Sequence, residues 1–280
     1  MRSLAQYTMQ GRRQAIVATF LCGLIPIANL LTPALIGLIC LRNGPQEAIR
    51  VLLWAGLPLL GWAMIGDISP LIVTLGALMM GTVLRSTGSW ERTLIAAIFV
   101  GVAAEMLLRL RPEFLAQIMA QLEVMMAGEL QDELTLQDMQ GFLFSLFGVM
   151  HMFMAICLML LARWWQAVLY NPGGFREEFH QLRLQPRLAM LLALLFVLAS
   201  FGVPVLSGWV LYFIMPLFFA GLALVHGLIG LKKMSGIWLA AFYMILLNPL
   251  VAQLLTVTAL IDSWYDFRSR IRPAPTDNED

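Results

Sequence analysis

Long apolar runs alternate with short clusters of charged residues along the chain, and that pattern predicts a bundle of transmembrane helices. Predominantly apolar runs cover roughly residues 48–66, 70–84, 90–108, 141–163, 188–206 and 209–231. A helix of about 20 apolar residues crosses the hydrocarbon core of a bilayer, so each run is a candidate span. Two further segments are longer and broken near the middle. Residues 14–41 are interrupted by Pro26, Asn29 and Pro33, and residues 235–262 by Asn248-Pro249. Proline removes a backbone donor and clashes with the preceding turn, so both segments kink or split there.

The loops set the order of the spans, because Arg and Lys in short loops mark the cytoplasmic side. The N-terminus (Arg2, Arg12, Arg13), the loops 42–50, 85–92 and 163–187, and Lys232-Lys233 are basic. Between them lie a loop with Asp67 alone, an acidic stretch and an uncharged turn at 205–208. The acidic stretch, 109–140, sets Arg109 and Arg111 against Glu113, Glu123, Glu129, Asp132, Glu133 and Asp138, a net of −4. Basic and non-basic loops therefore alternate from Arg42 to Lys233. The N-terminus and the Arg42 loop are both basic, which makes 14–41 a tight hairpin of two short helices. The same parity with Arg268, Arg270 and Arg272 makes 235–262 a second hairpin, a single kinked helix being the alternative.

The expected fold is an all-α polytopic transmembrane helical bundle of about 8–10 spans, with a cytoplasmic N-terminus, in a bacterial inner (plasma) membrane. Residues 1–13 form the cytoplasmic start, 14–264 one transmembrane helical domain and 265–280 a polar C-terminal tail. Within the domain, 110–140 is an outer amphipathic segment and 164–187 an inner loop. In the outer segment Phe114, Leu115, Ile118, Met119, Leu122, Met125 and Met126 recur at helical spacing over 112–127, as in a helix lying on the membrane surface. Thr135 and Asp138 have the spacing of a capping box. Tyr170-Asn171-Pro172-Gly173-Gly174 is a strong turn signal, followed by a short charged helix over 175–184.

Composition agrees: 60% of residues are hydrophobic, 12% charged, and the mean hydropathy is +0.81. A soluble domain carries about 25% charged residues. The net charge of +1 provides no basic face for nucleic acid. The partners expected are the lipid bilayer, another membrane subunit and a small-molecule substrate. Arg2, Arg12 and Arg13 followed by apolar residues from Ala15 imitate a signal peptide, and are read as an uncleaved first helix. Cys22, Cys40 and Cys157 lie in apolar runs without C-x-x-C spacing, as small buried hydrophobes do.

No catalytic or metal motif emerges, and no cofactor is expected. His151, His180 and His226 are far apart and outside any H-E-x-x-H, and no nucleophile elbow or phosphate-binding glycine loop occurs. Polar groups at membrane depth are the candidates for function, since each is costly unless paired. Asn29 and Thr32 at one break, Asn248 and Gln253 at the other, and His151 mid-span form a candidate ligand-binding set. Broken helices free backbone groups that transporters use for substrate, and the competing reading is local satisfaction of each kink. Glu105 stands one turn before Arg109 and can pair with it. Ala15, Thr19 and Gly23 form a small-residue ridge, suited either to docking a partner helix or to internal packing. Arg176 and Arg268 each follow a phenylalanine and are expected to organise the inner surface rather than to bind substrate.

Two stretches carry a family resemblance. They are Arg163-Trp164-Trp165-Gln166-Ala167-Val168-Leu169-Tyr170-Asn171-Pro172-Gly173-Gly174-Phe175-Arg176 and Leu260-Ile261-Asp262-Ser263-Trp264-Tyr265-Asp266-Phe267-Arg268. Together they resemble the YybS-like family, bacterial multi-pass membrane proteins of unknown function. That family is remotely similar to the substrate-binding S-components of energy-coupling-factor vitamin transporters. The short first helices around Pro33 and the Gly44-Pro45 turn fit that likeness, and Ala15, Thr19 and Gly23 loosely match the S-component docking motif. The resemblance makes Asn171, Pro172, Gly173, Gly174, Phe175, Arg176, Asp262, Trp264, Asp266 and Arg268 the signature residues here. The function expected is a small-molecule-binding or transport-related membrane subunit that is not an enzyme. The alternative is a non-catalytic membrane scaffold or envelope assembly factor.

Overall fold

Proline and glycine divide the chain into helices at nearly every position where the apolar runs end. A computed structural model describes residues 2–111, 120, 136–203, 206 and 208–271. Among them there are thirteen α-helices, one 3₁₀ turn and no strand. The helices are α1 (Arg2–Thr8), α2 (Arg12–Leu24), α3 (Thr32–Asn43), α4 (Pro45–Met64), α5 (Ser69–Thr87), α6 (Trp90–Arg109) and α7 (Leu136–Tyr170). Then follow α8 (Gly174–Gln181), α9 (Pro186–Ser200), α10 (Val210–Leu231), α11 (Ile237–Leu246), α12 (Pro249–Tyr265) and α13 (Phe267–Arg270). The protein is an all-α polytopic helical membrane bundle.

Four helices are each long and apolar enough to cross a membrane: α4, α5, α7 from Gln140, and α10. The number rises to six if each bent pair counts as one span. The bent pairs are α8 with α9, at 61°, and α11 with α12, at 111°. Because α8 carries Arg176, Glu177, Glu178 and His180 in eight residues, it is read as a surface helix. The expected amphipathic helix over 112–127, the Thr135–Asp138 box and the tail beyond Ile271 lie outside the described residues.

One boundary differs instructively from the sequence reading. The expected span 141–163 is part of a 35-residue helix, α7, about 52 Å long at 1.5 Å per residue. The apolar run ends at Arg163, but Arg163-Trp164-Trp165-Gln166 contains no helix breaker, and only Asn171-Pro172 stops the helix.

Helix packing divides the chain into two compact units, residues 1–170 and 171–280. The expected domain 14–264 thus contains two packing units that meet in sequence at the Asn171-Pro172-Gly173-Gly174 turn. In the first unit α3 is the core helix, and every residue from Thr32 to Leu41 is buried. It packs against α5, α7 and α4. Small residues permit the approach: a Cβ on Gly37 would stand 3.0 Å from Ala162 of α7, and Gly81 of α5 faces Cys40. The last carbonyls of a helix lack intrahelical donors. Here Arg85 donates to the Leu41 and Arg42 carbonyls, and Gln166 Nε2 donates to Leu41 O at 3.3 Å.

The break after α2 is real. Leu24 ends α2, a 3₁₀ turn covers Ala28–Leu31, and Thr32 starts α3. At this break Trp62 of α4 donates its indole N–H to Gly23 O at 2.8 Å, satisfying a carbonyl freed at the end of α2. Glu105 and Arg109 pair at 2.7 Å, and the guanidinium lies 4.4 Å from the Phe144 ring centre.

Candidate functional site

In the second unit, glycines set the site's geometry from both sides. Gly173 has φ +91°, which only glycine adopts freely. A Cβ on Gly174 would lie 2.2 Å from Asn171 Nδ2. The Gly-Gly pair therefore folds the turn tightly enough for α8 to begin at Gly174. On α10, Gly227 and Gly230 lie one turn apart and open a smooth face for α8. A Cβ at Gly227 would meet His180 O at 2.8 Å and Arg268 Nε at 3.0 Å, and one at Gly230 would meet His180 Cε1 at 2.7 Å. Aromatic contacts extend the contact zone: Phe175 stacks on Phe179, and Phe179 sets its edge on His226. His226 Nε2 and Tyr243 Oη of α11 share a 2.8 Å hydrogen bond.

Arg268 ties this assembly together. Its Nη1 contacts Asp262 Oδ2 at 3.1 Å, and its Nη2 donates to Leu182 O at 3.0 Å. Asp262 Oδ1 accepts from Phe267 N at 2.8 Å, which fixes the turn from α12 into α13. The pair is largely removed from solvent, with side-chain exposures of 12% for Arg268 and 3% for Asp262. At the turn Asp266 takes φ +50°, tolerable because a short polar side chain can bond locally. Asp266 Oδ1 accepts from Ser269 N, and Oδ2 contacts Arg183 Nη1 at 2.9 Å.

These elements border an open cleft of about 790 Å³, within the size range of small-molecule sites. Its wall includes Gly173, Arg176, Glu177 and His180 from the α8 side, Gly227 and Gly230 from α10, and Asp266 and Arg268 from the last turn. Burial first, then the charges of Arg176, His226 and Arg268, hold the His180 imidazole below its ordinary pKa. Burial likewise pulls down Arg268, against the carboxylates of Asp262 and Asp266.

Of the signature residues, Gly173, Arg176, Asp266 and Arg268 line the cleft. Asp262 supports it from behind, Gly174 and Asn171 form its turn, and Phe175 stacks beside it. Pro172 and Trp264 are exposed. His180, Arg183, Gly227 and Gly230 were not singled out as site residues by sequence reasoning. The only local signal was Gly227-x-x-Gly230 near the Lys232-Lys233 end of a span. Arg268 bridges Asp262 and the Leu182 carbonyl, whereas Arg176 is exposed and has no ion pair among the described residues.

The five proposed ligand residues fall in different units. Asn29, Thr32 and His151 are buried in the first unit, at 5%, 0% and 6% exposure. His151 Nδ1 lies 2.7 Å from Phe147 O, while its Nε2 and Thr32 Oγ1 have no partner among the described residues. Contacts of Gly37 with Ala162 and of Leu41 with Gln166 advance together along α3 and α7. The two helices therefore run in one direction, which puts Thr32 toward the half of α7 that carries His151. In the second unit Asn248 and Gln253 are exposed. The Asn248 side chain caps α12, accepting from Leu250 N at 2.9 Å, so that break is closed locally.

The ridge Ala15, Thr19 and Gly23 is buried, and Gly23 packs against Pro58 of α4. Cys22, Cys40 and Cys157 are free thiols. Among the described residues no group of three or more His, Cys, Asp or Glu could hold a metal ion. Compared with known proteins, the chain matches no family model, no curated protein and no solved structure.

Proposed function

We propose that this is a small-molecule-binding, transport-related subunit of the bacterial inner membrane, with its ligand site in the cleft of the second unit and no catalytic activity of its own. One observation carries the reading: runs 171–183 and 262–269, far apart in sequence, come together beside Gly227 and Gly230 and leave a cleft of about 790 Å³ with charged side chains in its wall. The basic loops put the cleft at the cytoplasmic end of the spans and leave the N-terminus cytoplasmic. The likeness to the YybS-like family belongs to the same proposal, because each of its two signature runs contributes to the cleft wall, through Gly173 and Arg176 and through Asp266 and Arg268.

Native mass spectrometry of the full chain in mild detergent tests this reading. A small molecule should remain on the wild type and on Gln253→Ala, and be lost from Arg176→Glu. Loss from Gln253→Ala alone would move the site to the break before α12. No retained ligand, together with a copurifying membrane protein, would replace the reading by the scaffold. The apolar interior around α3, filled by Leu35, Ile36, Leu38, Ile39, Met152 and Met159, is the observation that favours that second reading.

A further inference from the structure

We infer that the cleft recognises a phosphate-bearing anion, with Arg176 as the arm that contacts it; this rests on the cleft being the ligand site. Around the cleft, donors and acceptors do not balance. Arg176, Arg183 and Arg268 all face the cleft, opposed by Glu177 and Asp266. Both oxygens of Asp266 are engaged, by Ser269 N and Arg183. Both oxygens of Asp262, directly behind, are engaged by Phe267 N and Arg268. The acceptors that could satisfy further cations are thus already used, apart from the exposed Glu177.

Donors remain in excess. Among the described residues the Arg176 guanidinium has no ion pair, and the buried Arg268 Nε has no hydrogen-bond partner. The His180 ring lies between them along α10, its Cε1 against Gly230 and its backbone oxygen against Gly227. A guanidinium presents a planar fork that fits phosphate oxygens two at a time. The volume, about 790 Å³, exceeds a bare phosphate and admits a larger phosphorylated molecule. Two sources share this chemistry: a lipid headgroup of the inner leaflet and a soluble phosphate ester.

The test uses the full chain in phosphatidylcholine nanodiscs, with thermal unfolding followed by tryptophan fluorescence. Inorganic phosphate and adenosine triphosphate are the soluble probes, and nanodiscs containing phosphatidylglycerol are the lipid probe. Stabilisation by a soluble probe identifies a phosphate ester, and stabilisation only by phosphatidylglycerol identifies a headgroup. Either effect should weaken about tenfold in Arg176→Gln, as for loss of a charge-assisted contact. Arg187→Gln, an exposed cation of α9 outside the cleft wall, should keep it. No stabilisation by any probe, or equal loss in both variants, overturns the inference. The two proposals separate on the retained ligand: a phosphate-free molecule that Arg176→Glu expels leaves the cleft as the site and removes only the anion.

Discussion

Gly230 of α10 lets the His180 ring lie directly on the helix, where a Cβ would stand 2.7 Å from the imidazole Cε1. Gly227, one turn earlier, does the same for the His180 backbone oxygen and for Arg268 Nε. The two glycines differ in what must give way. At Gly230 a side-chain ring can rotate, whereas at Gly227 a backbone carbonyl obstructs. Gly227→Ala should therefore destabilise by about 1–3 kcal/mol, the usual cost of overpacking, and Gly230→Ala by less. Unfolding midpoints in detergent measure both, and an equal effect would contradict this account of the α8–α10 contact.

The two ion pairs of the last turn should differ sharply in worth. Arg268–Asp262 is nearly buried, while Arg183 and Asp266 are 35% and 37% exposed. Removing one partner of a buried pair leaves an uncompensated charge and costs about 3–5 kcal/mol. An exposed pair contributes only about 0–1 kcal/mol. Arg268→Gln should thus be severely destabilised and Arg183→Gln nearly neutral in thermal or denaturant unfolding. Arg268→Lys should fail to rescue, because one ammonium cannot reach both Asp262 and the Leu182 carbonyl in the fork geometry.

His180 makes stability depend on pH. Its folded pKa lies below the ordinary value of 6.5, so the unfolded chain binds its proton first as pH falls. The contribution is complete above pH 6.5 and is lost as pH falls through the folded pKa. Between pH 7 and 5 the unfolding midpoint of His180→Gln should fall less than that of the wild type. Parallel curves for the two proteins would remove His180 as the cause.

Thr32 discriminates between a structural and a ligand-binding role at the first break. Its hydroxyl is fully buried with no partner among the described residues. Thr32→Val keeps the shape and removes the unsatisfied group, so it should be neutral or stabilising by about 1 kcal/mol. Loss of a retained ligand in a stable Thr32→Val protein would instead locate binding in the first unit.

The alternating loop charges predict sidedness. In a background without the native cysteines, single cysteines at Asn43 and Asp67 should label from opposite faces, since α4 (Pro45–Met64) separates them. Labelling of both by an impermeant reagent from one side would contradict the crossing assigned to α4.

What the sequence determined by itself is local. Apolar runs and their breakers, Pro26, Gly44-Pro45, Gly88 and Asn248-Pro249, fixed where helices start and stop, because helix propensity and proline sterics act within a few residues. The all-α membrane class followed from the same runs. The Glu105–Arg109 pair was also legible, since i, i+4 neighbours need no tertiary fold to meet. Where the chain gave no breaker, as after Arg163, hydropathy alone misplaced the end of α7.

Only the tertiary structure decided which polar residues act together. Asn29 and Asn248 looked alike in sequence, both beside a proline break, yet one is buried and the other exposed as a helix cap. His180 and Gly230 are fifty residues apart in the numbering, and nothing local to either shows that the ring of one rests on the backbone of the other. Contact of that kind depends on the direction and rotation of whole helices, which are set by the sum of their packing surfaces rather than by any residue's own preference.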